Sequence, residues 1–235
     1  MERQLVNKIQ DLQIRLNTCD LYARNVVCDE FMELIRTTEN EELKVELCKI
    51  VMPYLVDLDR ELDLSFCYDL LMAHHDYHSH LTVLWMRALV CRRHENLDGQ
   101  IAAFRDGIKI ALLENDEIVL SEGYLHRGKV LLQKKLFDES LEDFNRLIPI
   151  AEKLNNYNLV AISLYYIALA LRAKGHIELC LQKLRESSEM ACRLHSQSIV
   201  MKTEIVRAKI QMDLGRTDVA KRILDDWYEE FSLML

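Results

Sequence analysis

From Leu81 onward the sequence repeats itself with a period of 40 residues. A small residue recurs as Ala88, Gly128, Ala168 and Ala208, and a turn position as Glu95, Lys135, Gly175 and Gly215. Two residues past the turn stand Leu97, Phe137, Ile177 and Thr217, apolar in three of the four. A large apolar residue follows as Phe104, Phe144, Leu184 and Leu224. Four registers that coincide at one spacing mark a chain built by stacking copies of one unit, each held by its neighbours.

The unit reads as two helices joined by a tight turn. Apolar residues fall three and four apart, the helical period. Six glycines and two prolines in 235 residues are too few for a turn-rich β fold. Gly175 and Gly215 suit the left-handed residue that ends a helix. Two helices can cross closely only where both carry small side chains. Ser140, Cys180 and Ala220 supply the second helix's share. Gln100 breaks that pattern, and Ala102 or Ala103 is the expected substitute. Pro149 falls inside a second helix and removes the hydrogen bond to the Asn145 carbonyl, so a kink is expected there.

Within the stretch from Ser121 to Gly175, Tyr124, Gly128, Phe137, Ser140 and Phe144 resemble the signature of the tetratricopeptide repeat (TPR). The 40-residue length is similar to the longer repeats of bacterial signalling proteins: peptide-pheromone-sensing regulators, and sensory regions of some diguanylate cyclases and transcription regulators. The resemblance implies an all-α fold, a right-handed α-α superhelix (TPR-like solenoid) of about twelve helices in antiparallel pairs. Four repeats span about 80–119, 120–159, 160–199 and 200–235, after divergent helical pairs in 1–78, in one continuous solenoid. In that first part helices are expected at about 2–17, 21–36, 40–52 (ending at Pro53) and 60–74. The last of these carries Leu62, Phe66, Leu70 and Leu71 along one stripe.

Charge and chemistry narrow the function. A net charge of −8 argues against a nucleic-acid binder. Seven cysteines, an odd number without a CxxC pair, lie mostly in apolar helical stripes and read as reduced core thiols. The opening residues are charged rather than a secretory leader, and no apolar run reaches membrane-spanning length, so a cytoplasmic, non-membrane protein is expected. No nucleophile elbow, phosphate-binding glycine loop or dinucleotide fingerprint is present, so neither an enzyme nor a cofactor is expected. One metal alternative stands in the run 74–80: His74 and His78, four apart, could share a helix face.

In proteins with such repeats the first helix of each pair faces a bound segment. Carried over by position, that surface comprises Trp85, Leu89, Arg92 and Arg93, then Leu125 and Lys129, then Tyr165, Leu169 and Arg172, then Lys209. Apolar anchors ringed by positive charge suit a protein or peptide that is acidic or ends in a free carboxylate. Three functions are open: a regulatory peptide-binding scaffold; a sensory amino-terminal module of a bacterial signalling protein with its output domain elsewhere; and a metal-binding protein using the histidine run. The last helix is apolar over more than one stripe, and Trp227 stands where other repeats have Gly107, Leu147 and Ser187. An exposed Trp227 beside Phe231 implies a homodimer contact, or burial by a longer chain.

Overall fold

The computed structural model describes residues 2–74 and 76–232, with side chains from 5 to 228. Among them the chain forms twelve helices and no strand: α1 (Glu2–Thr18), α2 (Leu21–Thr37), α3 (Glu41–Asp57), α4 (Glu61–Ala73), α5 (Tyr77–Arg93), α6 (Leu97–Glu114), α7 (Glu117–Gln133), α8 (Phe137–Lys153), α9 (Tyr157–Ala173), α10 (Ile177–Arg193), α11 (Gln197–Asp213) and α12 (Thr217–Ser232).

From α5 to α12 a helix begins every 20 residues, so each 40-residue unit is two helices of nearly equal length. The turns explain the spacing. Glu95, Asn115, Lys135, Asn155, Gly175, His195 and Gly215 all have positive φ, from 54° to 83°. At each turn the amide after the left-handed residue reaches back five residues, as Leu136 does to the Leu131 carbonyl at 2.9 Å. That bond caps the departing helix. The next helix is capped by Asn96, Asp116 or Asn156, whose side chains accept from the amides of Gly99, Val119 and Leu159.

The chain divides into two compact units, residues 1–110 and 111–235. In the first, Leu12 and Leu16, then Phe31, Met32 and Ile35, then Leu47, Val51, Met52 and Leu55 form one core with Leu64, Cys67, Leu71 and Val83. Helix α3 does not stop at Pro53. It runs on to Asp57, because Leu55 and Val56 continue the buried stripe of Val51 and Met52 and the packing outweighs one missing hydrogen bond. The stripe of α4 also differs from expectation. Leu64, Cys67 and Leu71 face inward, while Leu62 is 89% exposed and Phe66 lies under the Arg36 guanidinium.

In the second unit consecutive helices pack together, and α9 also contacts both α7 and α11. Three first helices of the pairs therefore lie side by side. The close crossings fall where the 40-residue register puts them. Ser140 is buried and its Oγ donates to the Gly128 carbonyl at 2.9 Å. Ala168 and Cys180 are fully buried in one cluster, and Ala208 and Ala220 are buried as well. Helix α8 runs through Pro149 to Lys153. In the first unit Gln100 is itself buried beside Ala103, and the closest approach falls to Gly99, where a β-carbon would stand 2.4 Å from the Cys91 sulfur.

Candidate functional site

The face formed by α7, α9 and α11 carries most of the residues that the repeat register assigns to binding. Leu125, Tyr165 and Leu169 are half-buried there, and Lys209 is exposed. Arg172 is not free, since its guanidinium pairs with Asp213 at 2.7 Å. Lys129 lies against the ring of Tyr166, 5.2 Å from its centroid, and has no acidic partner among the described residues. Tyr166 in turn stacks on Phe144, with centroids 5.2 Å apart and planes 8° from parallel. The core thus supports the platform on which the lysine rests.

Between these helices is a cavity of about 320 Å³. Lys129 and Lys202 line it, with Asn158, Ser196, Ser198 and Tyr165; Ile162, Ile199 and Tyr166 form its apolar wall. No carboxylate lines it. Burial, reinforced by the charge of Lys202, holds Lys129 below the usual lysine pKa. Burial likewise raises the Tyr165 hydroxyl above the usual tyrosine pKa. Helix positions in the sequence point to Lys129 and Tyr165 but pass over Asn158, Ser196 and Ser198. Those three sit at helix starts, where small polar residues read as caps; yet the Ser196 side chain makes no capping bond.

In the first unit the assigned residues of α5 are differently occupied. The Trp85 ring packs on Phe104, with centroids 5.1 Å apart, and Leu89 packs against the core. Arg93 donates to the Val56 and Asp57 carbonyls at the end of α3 and pairs with Asp59 at 2.7 Å. It closes a helix end. Arg92 is exposed.

The histidine run does not form the expected helix face. Helix α4 ends at Ala73 and α5 begins at Tyr77, so His74 and His78 belong to different segments. His74 Nδ1 lies 2.7 Å from one carboxylate oxygen of Asp76, whose other oxygen caps α5 by accepting from the Ser79 amide. Among the described residues no three His, Cys, Asp or Glu side chains converge as a metal site would require.

At the carboxyl end Trp227 is not the exposed residue expected. It is half-buried, packed with Met190 and Cys192 on the cluster of Ala161, Ala191, Ile199 and Val200. Trp227 and Ile223 line a cavity with residues of α10 and α11. The exposed apolar residues there are Leu224 and Tyr228, and the Phe231 side chain lies outside the described residues.

No family profile matches the chain, and no curated protein matches it in sequence. Its fold has clear counterparts among solved structures. The apo form of RapI superposes with a TM-score of 0.70 at 15% identity, over 98% of this chain and 66% of that one. BtubC (BKLC) from P. vanneervenii gives 0.71 at 12% identity, over 92% of each chain. A Rap protein complexed with competence and sporulation factor gives 0.61 at 16% identity, over 99% of this chain and 66% of that one. The fold is of the tetratricopeptide-repeat type. The chain spans about two thirds of the length of the Rap proteins. Among the described residues no helix is long and apolar enough to cross a membrane.

Proposed function

We propose that the chain is a peptide- or protein-binding repeat scaffold, regulatory rather than catalytic, that holds an acidic segment against the α7–α9–α11 face. The observation that carries this reading is the charge of that face. Lys129, Lys202 and Lys209 have no acidic partner among the described residues, in a chain whose net charge is −8. Exposed apolar residues stand among them, with Ile205 at 49% and Met212 at 57% exposure. Unpaired cations beside exposed apolar side chains suit a segment that combines carboxylates with apolar anchors. The Rap protein solved with its factor supports the reading, as an array of this fold with a bound partner.

Selection from a random peptide display library tests the proposal. Selected peptides should be rich in Asp and Glu around an apolar residue. The double substitution Ile205→Asp and Lys209→Glu should weaken them about tenfold or more, roughly 1.4 kcal/mol, while leaving the melting temperature nearly unchanged. Peptides without an acidic bias, or undiminished binding by the double variant, would place the site elsewhere.

A further inference from the structure

The cavity under Lys129 and Lys202 has more donors and more positive charge than one carboxylate can use. Two lysines line it together with Ser196, Ser198, Tyr165 and Asn158, and no acidic side chain does. A carboxylate brings one charge and two oxygens, which would leave one lysine uncompensated in a partly buried setting. A phosphomonoester carries about −1.5 to −2 charges and three strong acceptor oxygens, which matches the two lysines. The cations are compatible with phosphate, which lysine ammoniums bind as point charges, and no arginine lines this cavity. At about 320 Å³ there is room for more than the anion, and Ile162, Ile199 and Tyr166 offer that remainder an apolar wall.

We propose that this cavity receives a phosphorylated side chain, so that the segment bound on the α7–α9–α11 face is a phosphopeptide. The inference rests on the peptide-binding reading of that face and adds the chemistry of one subsite. Lys129 and Lys202 neutralise the phosphoryl oxygens. Ser196, Ser198 and Asn158 donate to them, and the side chain carrying the phosphate lies along the isoleucines. Burial first, and the charge of Lys202 second, lower the Lys129 pKa, and a bound anion would offset both.

Phenyl phosphate, phenylacetate and inorganic phosphate are titrated separately into the full chain, following backbone amide resonances of Lys129, Ser198 and Lys202. Phenyl phosphate should bind about tenfold or more tightly than phenylacetate, and more tightly than inorganic phosphate. Lys129→Met and Lys202→Met should each weaken it about tenfold, whereas Lys221→Met, exposed on α12 and outside the cavity lining, should not. Equal affinity for phenylacetate would make this a general anion site, and equal affinity for inorganic phosphate a site for the free ion; either result overturns the proposal. So does undiminished binding of phenyl phosphate by both cavity variants. If library-selected acidic peptides bind while phenyl phosphate moves none of these resonances, the subsite assignment alone fails. If neither binds, the reading of the whole face fails with it.

Discussion

Gly128 lies so close beneath Phe144 that a β-carbon on it would stand 2.9 Å from the ring. The ring cannot easily give way, because it is fully buried and stacked on Tyr166. Replacing a mid-helix glycine by alanine ordinarily stabilises by about 1 kcal/mol. Here the sign should reverse. Gly128→Ala should cost about 1–2 kcal/mol through overpacking, and should disturb the Tyr166 platform that carries Lys129. Gly107 is the control: a β-carbon there would meet only Leu81 and Leu84 at 4.0 Å. Gly107→Ala should therefore stabilise by about 0.5–1 kcal/mol. Thermal melts of the two variants on opposite sides of the wild type are the expected result; melts shifted the same way would refute the assigned crossing.

The turns allow a second test of the same kind. Lys135 holds φ at 66°, a conformation that costs a side-chain-bearing residue about 1 kcal/mol, while Gly175 holds the equivalent position at 83° without that cost. Lys135→Gly should raise stability by a few tenths to about 1 kcal/mol. Gly175→Ala should lower it by about 1 kcal/mol, although nothing lies within 4 Å of the added carbon. The loss would then come from the backbone alone. Denaturant midpoints moving in opposite directions, with unchanged slopes, would bear this out.

The 40-residue register was legible because it governs turns and crossings together: Gly128 and Ser140, Ala168 and Cys180, Gly175 and Gly215 all fall where the pattern places them. In the amino-terminal part the four helices were legible but their register was not, and the cause is local. Helices α2, α3 and α4 begin at 21, 41 and 61, but α5 begins at 77 because α4 has 13 residues instead of 17. One lost turn shifts the phase by four residues and hides the same 20-residue rhythm. Pro53 and Leu62 misled for a related reason, since local propensity and a loose apolar stripe were overridden by burial in the core of the first unit. At the candidate site, Lys129 and Tyr165 follow from helix position. Asn158, Ser196 and Ser198 do not, because residues at helix starts look alike whether they cap a helix or line a cavity.

Arg127 and Asp143 form an ion pair through two hydrogen bonds, 2.6 and 2.8 Å, with the carboxylate only 3% exposed. One period before this pair and two periods after it, the position of Asp143 holds no acidic residue. Arg87 corresponds to Arg127, but Ala103 stands in the place of Asp143, and a cavity of about 260 Å³ remains. In the last repeat Ile223 stands there, Arg207 turns to Glu204 on its own helix, and the cavity is about 490 Å³. Asp143→Ala would leave a largely buried guanidinium unpaired and should cost about 3–5 kcal/mol. Replacing both residues by leucine should recover most of that loss, because an apolar pair of similar volume fills the site without desolvating charge. Chemical denaturation of the three variants reads the difference. A double variant as unstable as the single one would mean that the pair contributes more than it costs to bury.

Asp76 ties the end of α4 to the start of α5, and its carboxylate should make stability depend on pH in acid. Burial opposes its ionisation, but hydrogen bonds from Ser79 and His74 and the charge of Lys49 outweigh this and hold its pKa well below the usual carboxylate range. A carboxyl depressed in the folded state contributes stability that is complete above its unfolded pKa, about 3.9, and is lost as pH falls toward the folded value. Asp76→Asn keeps an acceptor for the Ser79 amide and removes only the charge. It should melt below the wild type at pH 7, and the gap should narrow as the pH is lowered through 4 toward 2. Asp76→Ala also loses the helix cap, and should cost about 0.5–2 kcal/mol more at every pH. Melting curves of the three proteins at pH 7, 4 and 3 separate the contributions. A gap between wild type and Asp76→Asn that stays constant over that range would show that the charge on Asp76 does not hold this junction together.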